Sequence, residues 1–300
     1  MRKLMFTTFC FLLITCAHAQ QDSAFATVKY KLTHISDTTW PENPQITNYI
    51  LYLGKNLSSY TNYDRELAMS KGGGNVISGG TISSLGAVAV TATNIPASGA
   101  RGSSSSQAEM IASMGNIYRK LNEGKMVNME YTYGQLFAVE DNLPEISWTI
   151  SQDTKEIMGL QCQKATADFR GRTYEAWFCA ALPYMNGPWK LNGLPGLIIE
   201  ASDTKKEVVF SFVGFENLEE KKPIGISTLA SKASPKEFKQ YKEALEKDSK
   251  AMAGSSVTSG GMITVRGTLA MGADGKPPRF RQMNNPIEKE TKKETARGDK

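Results

Sequence analysis

Histidine, cysteine and long apolar runs are all scarce in this chain, and each scarcity removes a class of function. The 300 residues hold two histidines and four cysteines. One of those histidines and two of those cysteines fall in a leader-like start. Arg2 and Lys3 form a positive n-region, Leu4 to Thr15 is mostly apolar, and Ala17-His18-Ala19 supplies the small-x-small pattern that signal peptidase reads. The reading is a signal peptide over residues 1–19, with the mature chain starting at Gln20. Cleavage and lipidation at Cys16 is the alternative, and Thr15 is a poor residue before a lipidated cysteine. The leader's apolar run is too short to span a bilayer comfortably, and no later run approaches the length of a membrane helix.

Once the leader is gone, His34 is the only histidine. That excludes a multi-histidine metal site within one chain. Any Ser-His-Asp or Cys-His arrangement would have to use His34. It closes a strand-like segment with little chemistry around it, so a hydrogen-bonded structural role is the expectation. Charge of one sign is also lacking. The formal charge of +5 falls to +3 with the loss of Arg2 and Lys3, and the basic residues are interspersed with acids. Nucleic acid is therefore not an expected partner, because binding it needs a one-sign stripe. No G-x-x-x-x-G-K-[ST] pattern occurs, so a phosphate-binding loop is not supported.

What is present is period-two alternation. Val28, Tyr30 and Leu32 alternate with polar neighbours. Residues 46–53 are rich in aromatic and β-branched side chains. Val127, Met129, Tyr131 and Tyr133 form a third row, and Val208, Phe210 and Phe212 a fourth. The fold class predicted is mainly β: an antiparallel curved sheet or open barrel, with one C-terminal amphipathic helix and a Gly/Ser-rich insertion. The helix is marked by Ser234 at the N-cap, Pro235 at the first position and Glu237 at the third. Phe238, Tyr241, Leu245 and Met252 recur on one side of it, ready to pack on the sheet. The domain spans 20–253. Within it, 71–106 is a Gly/Ser-rich stretch read as a flexible insertion. Residues 254–300 are low-complexity and read as largely disordered, with five basic and four acidic residues after Pro286.

The most informative stretch runs from Gly159 to Asp203. Arg170-Gly171 fits a two-residue hairpin turn with glycine at positive φ. That register pairs Phe169 with Arg172, and counting back along it sets Cys162 opposite Cys179. The pair falls on a non-hydrogen-bonded rung, where Cα atoms lie about 4.5 Å apart and a disulfide can form. A structural disulfide is the expectation; a redox dithiol or thiolate metal site fits the spacing less well. Ala165, Ala167, Phe169, Tyr174, Ala176 and Phe178 share the core-facing side. Lys164 falls opposite Trp177, where a cation–π contact is open to it. Asn186-Gly187 and Asn192-Gly193 are turn dipeptides. Leu194-Pro195-Gly196-Leu197 has the pattern of a type II turn, with Gly196 at positive φ.

These residues carry a resemblance. Gly193-Leu194-Pro195-Gly196-Leu197-Ile198 resembles the signature of the GLPGLI family of exported bacterial proteins. Gly171, Arg172, Tyr174, Ala176 and Trp177, then Gly187 and Pro188, look like that family's approach to its signature. The strong resemblance covers about one sixth of the chain, and a weaker one of strand pattern runs from Phe25 to Leu218. It implies an exported protein of unknown function in a bacterium with an outer membrane: periplasmic, outer-membrane-associated or extracellular. It carries over no catalytic residues. The insertion and the polar tail depart from a compact family domain and leave its limits open.

Three functions compete. The first is a non-enzymatic binding or carrier module for an apolar ligand, a peptide or an envelope protein partner. Trp189, Leu191, Leu194 and Leu197 are concentrated in a turn-rich segment and are either a plug filling the end of the sheet or, at Trp189 and Leu191, the rim of a ligand site. The second is a carboxylate-based hydrolase using Asp168 and Glu175, near neighbours in the hairpin. The third is copper handling by methionine thioethers, with Met110 and Met114 at helical spacing. No catalytic set, cofactor or metal-ligand set is assigned.

Overall fold

In the computed structural model, residues 22–70, 110, 112–254 and 282–289 are described. Residues 1–19, read as a signal peptide, the stretch 71–106, read as an insertion, and most of the polar tail lie outside the described residues. In chain order the strands are β1 (Asp22–His34), β2 (Gln45–Gly54), β3 (Leu57–Asn62), β4 (Ile117–Lys120), β5 (Lys125–Thr132), β6 (Gln135–Asn142), β7 (Thr149–Ile157), β8 (Leu160–Phe169), β9 (Arg172–Cys179), β10 (Leu197–Asp203), β11 (Val208–Ile224) and β12 (Ser231–Ala233). The helices are α1 (Tyr63–Ser70) and α2 (Pro235–Gly254). The mainly-β expectation holds.

All twelve strands join one open sheet in the order β12-β6-β5-β4-β3-β2-β1-β11-β10-β9-β8-β7. It consists of two antiparallel meanders, β1 to β6 and β7 to β11, joined where β1 pairs with β11. β12 adds a short parallel edge to β6. The link between the meanders dictates a curl. β6 and β7 stand ten strand intervals apart in the sheet, about 48 Å if it were flat, at ~4.8 Å per interval. Yet only residues 143–148 connect them, and an extended chain of that length reaches roughly 25 Å. The sheet must therefore coil until its two halves approach, leaving an inside and an outside.

Alternation sorts the side chains between those sides. Ala26, Val28, Tyr30 and Leu32 of β1 point inward with Leu51, Leu53, Tyr60, Met126, Tyr174, Ala176, Phe178 and Phe210. Ile50, Tyr52, Tyr118, Val127 and Met129 point outward and form a second cluster, against which Tyr63 of α1, Met110 and Met114 pack. β1 carries a bulge. Register shifts between Ala24 and Ala26 against both neighbours, leaving Phe25 without a partner. The extra residue moves Ala24 to the outer cluster and turns Phe25 toward the inner one.

The helix start is as predicted: the Glu237 amide donates to Ser234 Oγ at 3.3 Å, and Glu237 Oε2 accepts from the Ser234 amide at 2.8 Å. The helix sits at the margin of the sheet, where Phe238 and Tyr241 pack on Phe137 of β6 at 5.2 and 4.8 Å between ring centroids. The interior is filled by another segment.

Candidate functional site

That segment is the stretch between β9 and β10. Tight turns fold it. Amides of Tyr184, Asn186 and Gly196 each donate to the carbonyl two residues back, at 2.7, 2.6 and 2.8 Å. The ribbon then enters the curl. Leu191 and Leu194 are fully buried, and Trp189 is 8 % exposed. The Trp189 ring lies 5.6 Å from Phe169, 6.2 Å from Tyr174 and 6.4 Å from Phe210. Trp189 and Leu191 therefore form no rim; they are the plug, because nine ring atoms and a leucyl side chain gain most by leaving water here.

A buried cation fixes the plug. Arg119, inward on β4 and wholly buried, donates from Nη2 to the carbonyls of Gly187 at 3.1 Å, Leu191 at 3.4 Å and Trp189. Its Nε and Nη1 have no hydrogen-bond partner among the described residues. Burial brings its pKa down to about 10, against the opposing influence of Tyr30 and Tyr60, so it stays charged at neutral pH. Tyr30 adds a second tie, donating to the Ile198 carbonyl at 2.7 Å.

Two glycines of this segment answer to crowding. A Cβ on Gly187 would lie 2.8 Å from Ile198 Cβ, and one on Gly196 only 2.3 Å from the Cys179 carbonyl oxygen. Gly196 has positive φ as expected, at +154°, but the turn is not type II. The Leu197 amide that would close such a turn donates instead to Leu182 at 2.9 Å. A tighter turn centred on Pro195 results, set by the pairing of Leu197 with Cys179 in the adjacent strand. Gly193 also has positive φ, at 90°.

The two ends of the curl differ. At the end where β1 stops, Arg172 is buried among acids and a returning piece of the C-terminal region. Its Nη1 donates to Asp203 at 2.6 Å and Glu207 at 2.9 Å. His34 is 6 % exposed, with Nε2 2.7 Å from the Asn285 carbonyl, so Nε2 carries the proton. Burial lowers its pKa, which the Asn285 carbonyl and nearby carboxylates only partly offset. This is the hydrogen-bonded structural histidine expected, and residues 282–289 are an ordered exception to the disorder read for the tail.

At the opposite end, where β1 begins, no described residue covers the curl. A cleft of about 1100 Å³ lies there between the start of β1, the β2–β3 turn and residues 183–186 and 192–193 of the plug segment. Phe25 and Tyr184 meet at 5.6 Å, and Tyr184 stacks on Phe215 at 6.2 Å, so the floor is aromatic. Leu53 and Leu143 extend it, Met185 stands 63 % exposed in it, and Asp22, Lys55 and Lys221 give it a charged border. The apolar floor can take a hydrocarbon or aromatic group while the border holds a polar end in water.

The remaining predicted residues lie elsewhere. The hairpin register is as derived, from Phe169 opposite Arg172 to Gln163 opposite Phe178, and both turn residues have positive φ. Cys162 and Cys179 are nevertheless buried free thiols, so the expected disulfide is absent from the structure. The Cys162 thiol donates to the Leu160 carbonyl at 3.2 Å, and burial followed by the neighbouring Cys179 pushes its pKa up to about 12. Such a thiol is protonated at neutral pH. Asp168 accepts a 2.5 Å bond from Thr173, and Glu175 pairs with Lys164 at 3.5 Å, so both carboxylates are engaged by the outer face. Lys155, rather than Lys164, stands over the Trp177 ring, at 4.4 Å. No group of three or more His, Cys, Asp or Glu side chains among the described residues could hold a metal ion.

Sequence reasoning missed Arg119, Phe25, Tyr184, Met185 and Asn285.

Comparison with curated proteins finds no match. Among solved structures, PNGF-II in its P21 and C2 crystal forms gives a TM-score of 0.47 and 11% identity in each case, covering 73% and 75% of this chain. The chain spans about a third of the length of those chains, 32% and 33%, and a likeness of that depth carries no argument about activity. A family model described as a protein of unknown function (Porph_ging) matches residues 169–200, from the end of β8 through the plug into β10.

Proposed function

We propose that this chain is an exported envelope protein of the GLPGLI type that works as a non-enzymatic binding module. Its guest has an apolar body and a polar end, as a lipid-like molecule or an extended peptide with apolar side chains does. The guest enters the open end of the curl and lies on Phe25 and Tyr184, not on Trp189. One observation carries this reading: the interior is packed by the plug, while the cleft beside it has an aromatic floor and an exposed Met185 that no described residue covers. Exposed apolar surface rimmed by polar groups is characteristic of binding sites. The leader at residues 1–19 supports export, and export would place the cysteine pair where it can oxidise. The hydrolase alternative loses support because Asp168 and Glu175 are tied to Thr173 and Lys164. Copper handling loses it because Met110 and Met114 pack against the outer cluster.

The test is native mass spectrometry of the protein purified from envelope extracts, beside a Tyr184→Asp variant. The wild type should retain an added apolar mass that the variant loses while keeping its thermal transition. A wild type carrying no adduct, or a variant retaining it fully, would overturn the reading.

A further inference from the structure

We infer that the surface around Arg172 is a peptide-recognition site whose resident occupant is the chain's own segment 282–289. The segment is held as a ligand is held, through its backbone and a few side chains, and it forms no strand or helix there. Arg172 divides its donors between two partners. Nη1 is fixed by Asp203 and Glu207, and the other edge of the guanidinium reads the segment. Nε donates to the Ile287 carbonyl at 3.0 Å, and Nη2 donates to the Pro286 carbonyl at 2.8 Å and Asn285 Oδ1 at 2.7 Å. A planar fork pre-set by two carboxylates is well suited to capturing carbonyls in a fixed direction.

Asn285 is the anchor. It is 2 % exposed, and every polar group it offers is used. Its backbone amide donates to Ser36 O at 3.1 Å, its carbonyl accepts from His34, and its side-chain amide donates to Ile35 O at 2.7 Å and Glu207 at 3.0 Å. Pro286 follows, having no amide proton that would need a partner. Ile287 packs against the inner cluster. Glu288 pairs with Lys190, and lies 3.9 Å from Arg170. The Lys289 amide donates to Arg170 O at 3.0 Å. The turn residue Gly171 leaves the path clear, since a Cβ there would lie 2.7 Å from Lys289 Cβ and 2.9 Å from its carbonyl oxygen. The site therefore reads the order Asn, Pro, apolar, acid.

Nothing in that recognition requires the peptide to belong to the same chain. A tethered occupant acts at an effective concentration on the order of millimolar. An external peptide of the same pattern gains the site when the tethered copy is weakened. This site lies at the opposite end of β1 from the cleft and does not depend on the proposed guest.

The experiment titrates a fluorescent peptide with the sequence of residues 282–289 against the full chain, following anisotropy. The wild type should bind it weakly. The Asn285→Ala full chain, with its own segment weakened, should bind it up to about tenfold more tightly, the ratio expected for losing ~1.4 kcal/mol of hydrogen bonding. A Glu288→Lys full chain should move the same way, and a peptide carrying alanine in place of the asparagine that precedes its proline should bind none of the three proteins. If both folded variants bind the peptide no more tightly than the wild type, or bind the alanine peptide equally well, the proposal is wrong.

Discussion

Gly196 and Arg119 sit on the two sides of the plug, and they differ in how far a sequence reveals them. At Gly196 the Leu-Pro-Gly pattern announces a turn with positive φ. It cannot announce that the missing Cβ leaves room for the Cys179 carbonyl, because that neighbour comes from another strand. Both reasons act together, so Gly196→Ala should destabilise by at least about 2 kcal/mol. A melting temperature lowered by roughly 4–8 °C is expected for a domain of this size, and an unchanged one would refute the crowding argument. Arg119 was not legible. The four residues of its strand, Ile-Tyr-Arg-Lys, show no alternation, and its acceptors are loop carbonyls some seventy positions away (Gly187, Trp189 and Leu191). The carbonyl cage exists only after the curl has formed. Trp189 was legible as apolar and concentrated with leucines, but plug and rim differ only in what lies opposite.

The register of the β8–β9 hairpin was legible, from Phe169 opposite Arg172 to Gln163 opposite Phe178, because turn chemistry fixes it and it fixes which residues face one another. Its cysteines therefore oppose each other, and the structure holds them as thiols. In exported protein we expect them to link, since burial protects the bond and the compartment oxidises. Non-reduced peptide mapping should show Cys162 joined to Cys179, with a stabilisation of about 2–3 kcal/mol over the reduced form. Free thiols in periplasmic material would refute this. The segment 282–289 was not legible, because its Asn-Pro-Ile anchor is surrounded by alternating charges that read as tail. Its docking makes stability depend on pH. The folded pKa of His34 lies below its ordinary 6.5, so the unfolded chain takes up a proton that the fold refuses. Stability is then complete above about pH 6.5 and is lost as pH falls through the lower folded value. Burial works to raise Glu207, but the hydrogen bonds from Arg172 and Asn285 and the charge of Lys289 outweigh it and leave it below 4.5. That adds a loss of the same sign in more acid solution. Urea unfolding between pH 7 and 5 should show falling stability in the wild type and a flatter profile in His34→Gln, which can still donate to the Asn285 carbonyl. Equal slopes would show that His34 is not the group responsible.

The described residues form a curled sheet closed at one end by residues 282–289, filled by the β9–β10 segment, and left open by them at the other end. Alternation predicted the β class and the antiparallel pairing. The curl follows from a six-residue link between strands ten intervals apart, a constraint visible only once the strand order is known. The cleft was not legible for the same reason: Phe25 and the Tyr184-Met185 pair come from separate parts of the chain, and Phe25 points there because of a bulge. The central claim is that this open end receives a guest. A photo-crosslinking amino acid placed at Met185 in the cleft, and separately at Ile46, 61 % exposed but outside it, tests that in cells producing the full chain. The account predicts a discrete adduct from position 185 that is suppressed by Tyr184→Asp, and none from position 46. No adduct from position 185, or the same adducts from both positions, would contradict it.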